Sequence, residues 1–220
     1  MKNIAILLIL IIGSVLFAAD QSNQIRQQFE TRYQAWSSWR TNHAFLSTYT
    51  GCDEYRAIIN LGPQAIPFII AKMNENTQDF HLSYAVEILS KRHFEKTEWP
   101  TDRLGDSVTR AQMYIKWWQS ANKSTERDFG RLYDEFQQLK SQKREADALG
   151  VRRRITDLGI LALPFLVSKA NNDNEMIVVI SELTDGELPK SATILECQEW
   201  WKNNSSKWVL TDSSFGDAPK

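Results

Sequence analysis

The chain has 220 residues, with 26 Lys and Arg against 27 Asp and Glu, so its net charge near neutrality is −1. A balance so even gives no broad positive field for nucleic acid or anionic lipid. Nine glycines, six prolines and little β-branched alternation speak against a β-sandwich.

Lys2 precedes an apolar run from Ile4 to Phe17, followed by Ala18, Ala19 and Asp20. Basic, apolar and small-residue regions in that order predict a secretory signal peptide over residues 1–19. The run is short for a membrane span, which needs about 20 apolar residues. The alternative is an uncleaved anchor, because a bulky Leu16 or Phe17 near the −3 position suits a peptidase poorly, and only then would the protein meet a membrane. Export, to the periplasm or outside the cell, is the expectation either way. Without Lys2 the mature net charge becomes −2, and about 200 residues remain for one large core or two small units.

After the leader, Ile25, Phe29, Tyr33 and Trp36 draw an apolar stripe along one helical face. A short helix is expected over "CDEYRAIINLG", ending at Gly62. A glycine here suits the left-handed end of a helix, costly for a residue with a Cβ. Pro67, a few residues on, suits the first turn of a new helix, where its missing N–H leaves no bond unmade. Ile66, Ile69, Ile70 and Met73 give that helix one apolar stripe, and Phe68 points away from it. "HLSYAVEILS" reads as a further helix, and "YIKWWQS" places two tryptophans on the next.

The same words then return. Shifted by 97 residues, Gly62, Ala65, Pro67, Phe68 and Lys72 fall on Gly159, Ala162, Pro164, Phe165 and Lys169, and Trp36 and Trp39 fall on Tyr133 and Phe136. "STERDFGRLYDEFQQLK" repeats the leading amphipathic helix, with Ser124 and Thr125 as expected N-caps. "GVRRRITDLG", "EMIVVISELT" and "CQEWWKN" repeat the rest, the last at a shift of 83. The expected organisation is therefore a first helical unit over 20–123, a second over 124–209, and a disordered tail over 210–220.

These residues resemble the exported bacterial HEAT-like α-helical repeat proteins, in which an "LG..A.PF" turn precedes a Trp-Trp helix. The resemblance implies an all-α fold, a short α-α superhelix or solenoid, used as a binding scaffold. A period of 97 departs from the roughly 40 residues of an ordinary HEAT unit, so each copy holds two hairpins or one hairpin with added helices.

Chemistry is sparse. His43, His81 and His93 stand far apart, with no zinc spacing around them. There is no phosphate loop and no nucleophile elbow. No cofactor, metal site or catalytic set is expected. Cys52 and Cys197 could pair in an oxidising compartment, but two separate buried thiols are the favoured reading. Within each Trp pair, Trp117 with Trp118 and Trp200 with Trp201, one ring is expected inside and the other partly exposed. Lys143, Arg144 and Arg152 to Arg154 form a basic concentration, expected to spread around a solvated face.

The best local candidate for interaction is "HFEKTEWPTDRLGDS", near which most of the length lost from the second copy falls. It offers Trp99 among Glu95, Glu98, Asp102 and Asp106. An exposed Trp can stack on a sugar or a partner, and paired carboxylates are the tools of glycoside hydrolysis. The leading expectation is a non-enzymatic scaffold that binds another protein of the cell envelope. The rival is a carbohydrate-binding or carbohydrate-active protein using Trp99 and its carboxylates.

Overall fold

A computed structural model describes residues 2–41 and 46–210, with the side chains of 2–21, 46–48, 77 and 122 left aside. His43, the tail from 211 and the side chains at the expected cleavage site lie outside the described residues. Every regular element among the described residues is helical, and none is a strand. No helix among them is long and apolar enough to cross a membrane. The chain divides into two compact units at Phe68 and Ile69.

In the first unit, α1 (Lys2–Thr41) is unbroken past Ala19 and is followed by α2 (Leu46–Gly51) and α3 (Asp53–Ile59). The stripe of α1 buries Phe29, Tyr33 and Trp36. Trp36 packs on Tyr55 of α3, ring centres 5.6 Å apart, and its indole N–H donates to the Tyr49 carbonyl at 2.9 Å. Arg32 reaches across to the carbonyl of Ala57.

The first corner follows. Gly62 has φ 77° and ψ −173°, and the turn Pro63–Ala65 leads into α4 (Ile66–Glu75), with Pro67 at its second position. Gly159 has φ 78° and ψ −167°, and the turn Ile160–Ala162 leads into α8 (Leu163–Ala170), with Pro164 likewise placed. The prolines start helices as expected. The glycines differ from expectation in one respect: they are not in the left-handed helical well but in the positive-φ extended region, which is essentially closed to other residues. The reason is that ψ must swing the chain outward so that the glycine carbonyl can accept from Ala65 or Ala162, each at 3.0 Å, and open the new turn.

The second unit continues with a kinked 3-10 segment, Thr77–Leu82, then α5 (Ser83–Ser90), α6 (Ser107–Ser141), α7 (Glu145–Asp157), α8, α9 (Asn174–Leu183) and α10 (Ile194–Trp208). α6 packs along α7, α8 along α9, and α10 against both of the latter. Its core includes Leu82, Val86, Phe136, Ile155, Leu163, Leu166 and Ile180.

Two expectations are corrected here. Ser124 and Thr125 cap nothing, because α6 runs through them from an N-cap at Asp106, whose carboxylate accepts from the Thr109 amide at 2.8 Å. The reason is visible in burial: Tyr114, Trp118, Ala121, Thr125, Phe129, Leu132, Phe136 and Leu139 form one unbroken stripe at steps of three and four, with Thr125 only 5% exposed. The helical register of the two leading segments also changes. Phe29 stacks on Tyr33 and on Phe68 at 5.9 and 6.1 Å, and Phe129 stacks on Tyr133 and on Phe165 at 5.8 Å each. The like-stacked pairs of the leading segments, Phe29 with Tyr33 and Phe129 with Tyr133, thus lie 100 residues apart, where the expected shift is 97.

Trp118 is buried and Trp117 half-buried, as expected of that pair. Trp200 and Trp201 differ from expectation in both being half-buried; the buried ring of α10 is Trp208, tilted against Trp200 with ring centres 6.5 Å apart. Cys52 and Cys197 are both free thiols, Cys197 buried and Cys52 half-buried. Burial raises the pKa of each above the ordinary thiol value.

Candidate functional site

Residues 91–106, between α5 and α6, are the stretch singled out by sequence. Lys91 ends α5 in the left-handed region, φ 53°, and its ammonium reaches Asp185 at 2.9 Å. The backbone of Ser90 to Arg92 then lies against Gly159, and His93 N–H donates to the carbonyl of Asp157 at 3.2 Å. This strap is pinned to the second corner, and it delivers Arg92 into a cavity.

Arg92 is a buried charge of the second unit. Its guanidinium donates to the carbonyls of His93 and Asp157, pairs with Glu98, and lies 4.6 Å over the ring of Phe94. The buried Tyr114 hydroxyl donates to the Arg92 carbonyl at 2.7 Å, and burial pushes the pKa of that phenol far up. Arg92 is thus built in, with its charge answered locally.

Each of the five residues singled out by sequence has a definite place. Glu95 and Glu98 form the capping box of the turn Lys96–Glu98, each accepting from the other's amide. Glu95 also receives Arg154 at 2.9 Å, and Glu98 receives Arg92. Asp106 caps α6, and the hydrogen bonds from Thr109 lower its pKa. Asp102 is exposed beside Arg103 at 3.6 Å. Trp99 is half-buried, with the Arg110 guanidinium 5.7 Å from its ring centre. Of these five, Glu98 lines the cavity.

Arg110 also meets Tyr84 at 4.4 Å and Glu87 at 2.9 Å, and Glu87 lies 3.4 Å from the His93 ring. The His93 hydrogen bond, with Arg110 behind it, holds the Glu87 carboxyl below its ordinary range, and Glu87 in turn raises His93. Asp157 is raised by burial.

The cavity has a volume of about 490 Å³. One wall is the face of α6 carrying Thr109, Gln112, Met113, Lys116, Trp117, Ser120, Ser124, Thr125 and Asp128. The other holds Arg92, Phe94, Glu98, Pro100 and Leu158. At 1.5 Å per residue, the lining positions of α6 extend over about 28 Å. The site is a long groove rather than a round pocket.

Most of these residues escaped sequence reasoning. In the sequence Trp117 reads as half of a packing pair and Ser124 as a cap, and nothing marks Gln112, Lys116, Ser120 and Asp128, although their step of four puts a polar row beside the buried stripe. The arrangement offers side-chain hydrogen bonding along one flank and apolar surface along the other. Among the described residues, no group of three His, Cys, Asp or Glu side chains is placed to hold a metal ion. The chain matches no protein-family model, no curated protein and no solved structure.

Proposed function

We propose that this protein is an exported, non-enzymatic helical-repeat module of HEAT-like kind, which uses the α6 groove to dock another protein of the cell envelope. The observation that carries the docking role is the groove itself: about 28 Å of one helix face lined by polar side chains, with Met113 and Trp117 as the apolar members. That length suits a chain segment better than a compact small molecule.

Two recurrences support the duplicated architecture. The glycine corners share their dihedral angles within a few degrees, and each is followed by a three-residue turn and a proline-led helix. The aromatic trio Phe29, Tyr33 and Phe68 has the same stacking geometry as Phe129, Tyr133 and Phe165. The basic, apolar and small-residue order of the first 19 residues supports export.

The test is affinity capture from an envelope fraction with the parent and with Trp117→Ala and Lys116→Glu. The same protein recovered by the parent and lost with both variants supports docking at the groove. Retention by both variants refutes it. Binding to a glycan array that disappears in Trp99→Ala, without any captured protein, would move the assignment to a carbohydrate ligand.

A further inference from the structure

We propose that the groove receives an extended peptide segment carrying a carboxylate opposite Lys116 and an apolar side chain against Trp117. This rests on the docking role above and names the chemistry of what docks.

The conformation follows from spacing. Gln112, Lys116, Ser120 and Ser124 recur every four residues along α6, about 6 Å apart on the axis. An extended chain advances about 6.6 Å for every second residue. A strand laid along the helix therefore offers a backbone N–H or C=O to each member of the polar row in turn. A helical ligand has its backbone groups tied up internally and can answer that row only with side chains.

The charge follows from the pairing around the groove. Arg92 is answered by Glu98, and Asp128 by Arg127 at 3.2 Å. Lys116 has no ion pair among the described residues, so the groove presents one uncompensated cation midway along its length. Next to it in sequence, about 100° around the helix, stands Trp117, and Met113 lies one turn before it. Adjacent side chains of an extended peptide point to opposite flanks. An acidic residue beside an apolar one therefore meets Lys116 and Trp117 together.

The test uses the full chain and fluorescein-labelled octapeptide pools with leucine and glutamate fixed, in either order, at the two central positions. A matched pool carries lysine in place of glutamate, and a third holds the leucine–glutamate sequences as stapled helices. The expected result in fluorescence anisotropy is binding of the glutamate pool roughly tenfold tighter than the lysine pool. Lys116→Glu, an exposed change that leaves the core alone, should invert that preference. Trp117→Ala should weaken the glutamate pool roughly tenfold. Equal binding of both charges, an unchanged preference in Lys116→Glu, or tighter binding of the stapled pool would overturn the proposal. Envelope capture that depends on the groove while all linear pools fail would sink this inference and leave the docking role standing; failure of both would remove both.

Discussion

Gly62 and Gly159 turn the backbone through the same angles, yet a Cβ added to them would meet different worlds. At Gly62 nothing lies within 4 Å; at Gly159 the added atom would sit 2.3 Å from the Ser90 carbonyl oxygen and 2.9 Å from the Arg92 amide nitrogen. The first glycine serves its own dihedral angles. The second serves those and also makes room for the strap that carries Arg92 into the groove. One local rule, used twice, has been given a tertiary task at the second corner.

Alanine at the two positions breaks or sharpens that comparison with the largest expected effect. Gly62→Ala should cost about 1–3 kcal/mol from backbone strain alone. Gly159→Ala should cost roughly 1–3 kcal/mol beyond that, because the clash is with backbone, which yields less readily than a side-chain tip. Urea unfolding of the two variants measures the difference. Equal midpoints would mean that the strap moves aside freely and that the corners are alike after all.

The corners were legible in the sequence because their cause is local: a glycine, three residues, a proline. The helix after them was legible too, since Ile66, Ile69, Ile70 and Met73 are all buried. The run of α6 was not, because Ser124 and Thr125 look like caps when read in a short window. Only the burial of Thr125 beneath its neighbours shows the stripe continuing. The acidic loop drew attention through its composition, but composition could not say that Glu95 and Glu98 would cap one another and bind Arg154 and Arg92. The groove was hidden for a plainer reason. Its walls come from residues 92–100, from one face of α6 and from Leu158, and only the packing of α6 with the second corner brings them together.

Arg92→Met sharpens the comparison next, since the strap has no counterpart at the first corner. It keeps the volume of the side chain while removing donors to two carbonyls and Glu98, and should cost roughly 1.5–3 kcal/mol by thermal or urea unfolding. A loss within error would show that the strap is held by Gly159 packing alone. Tyr114→Phe removes one buried hydrogen bond to the same strap and should cost about 1 kcal/mol, with the helical circular dichroism signal unchanged.

The smallest effect is a pH dependence at the end of the strap. His93 is raised by Glu87, so its contribution is whole below its unfolded value of about 6.5 and is lost as pH rises through the higher folded value. Glu87 is lowered, so its contribution is present above its unfolded value of about 4.3 and is lost as pH falls through the lower folded one. His93→Gln should therefore lower the melting temperature more at pH 5.5 than at pH 8.5. The reverse order would contradict the ion pair.

The groove is the claim on which the functional account turns, and in-cell photo-crosslinking addresses it most directly. A photoreactive residue at Ser120, inside the groove, is compared with one at Leu149, exposed on α7 and absent from the lining. The account predicts one recurrent crosslinked partner from Ser120, lost when Lys116→Glu is added, and no such product from Leu149. Equal products from both positions, or a Ser120 product indifferent to Lys116→Glu, would contradict it.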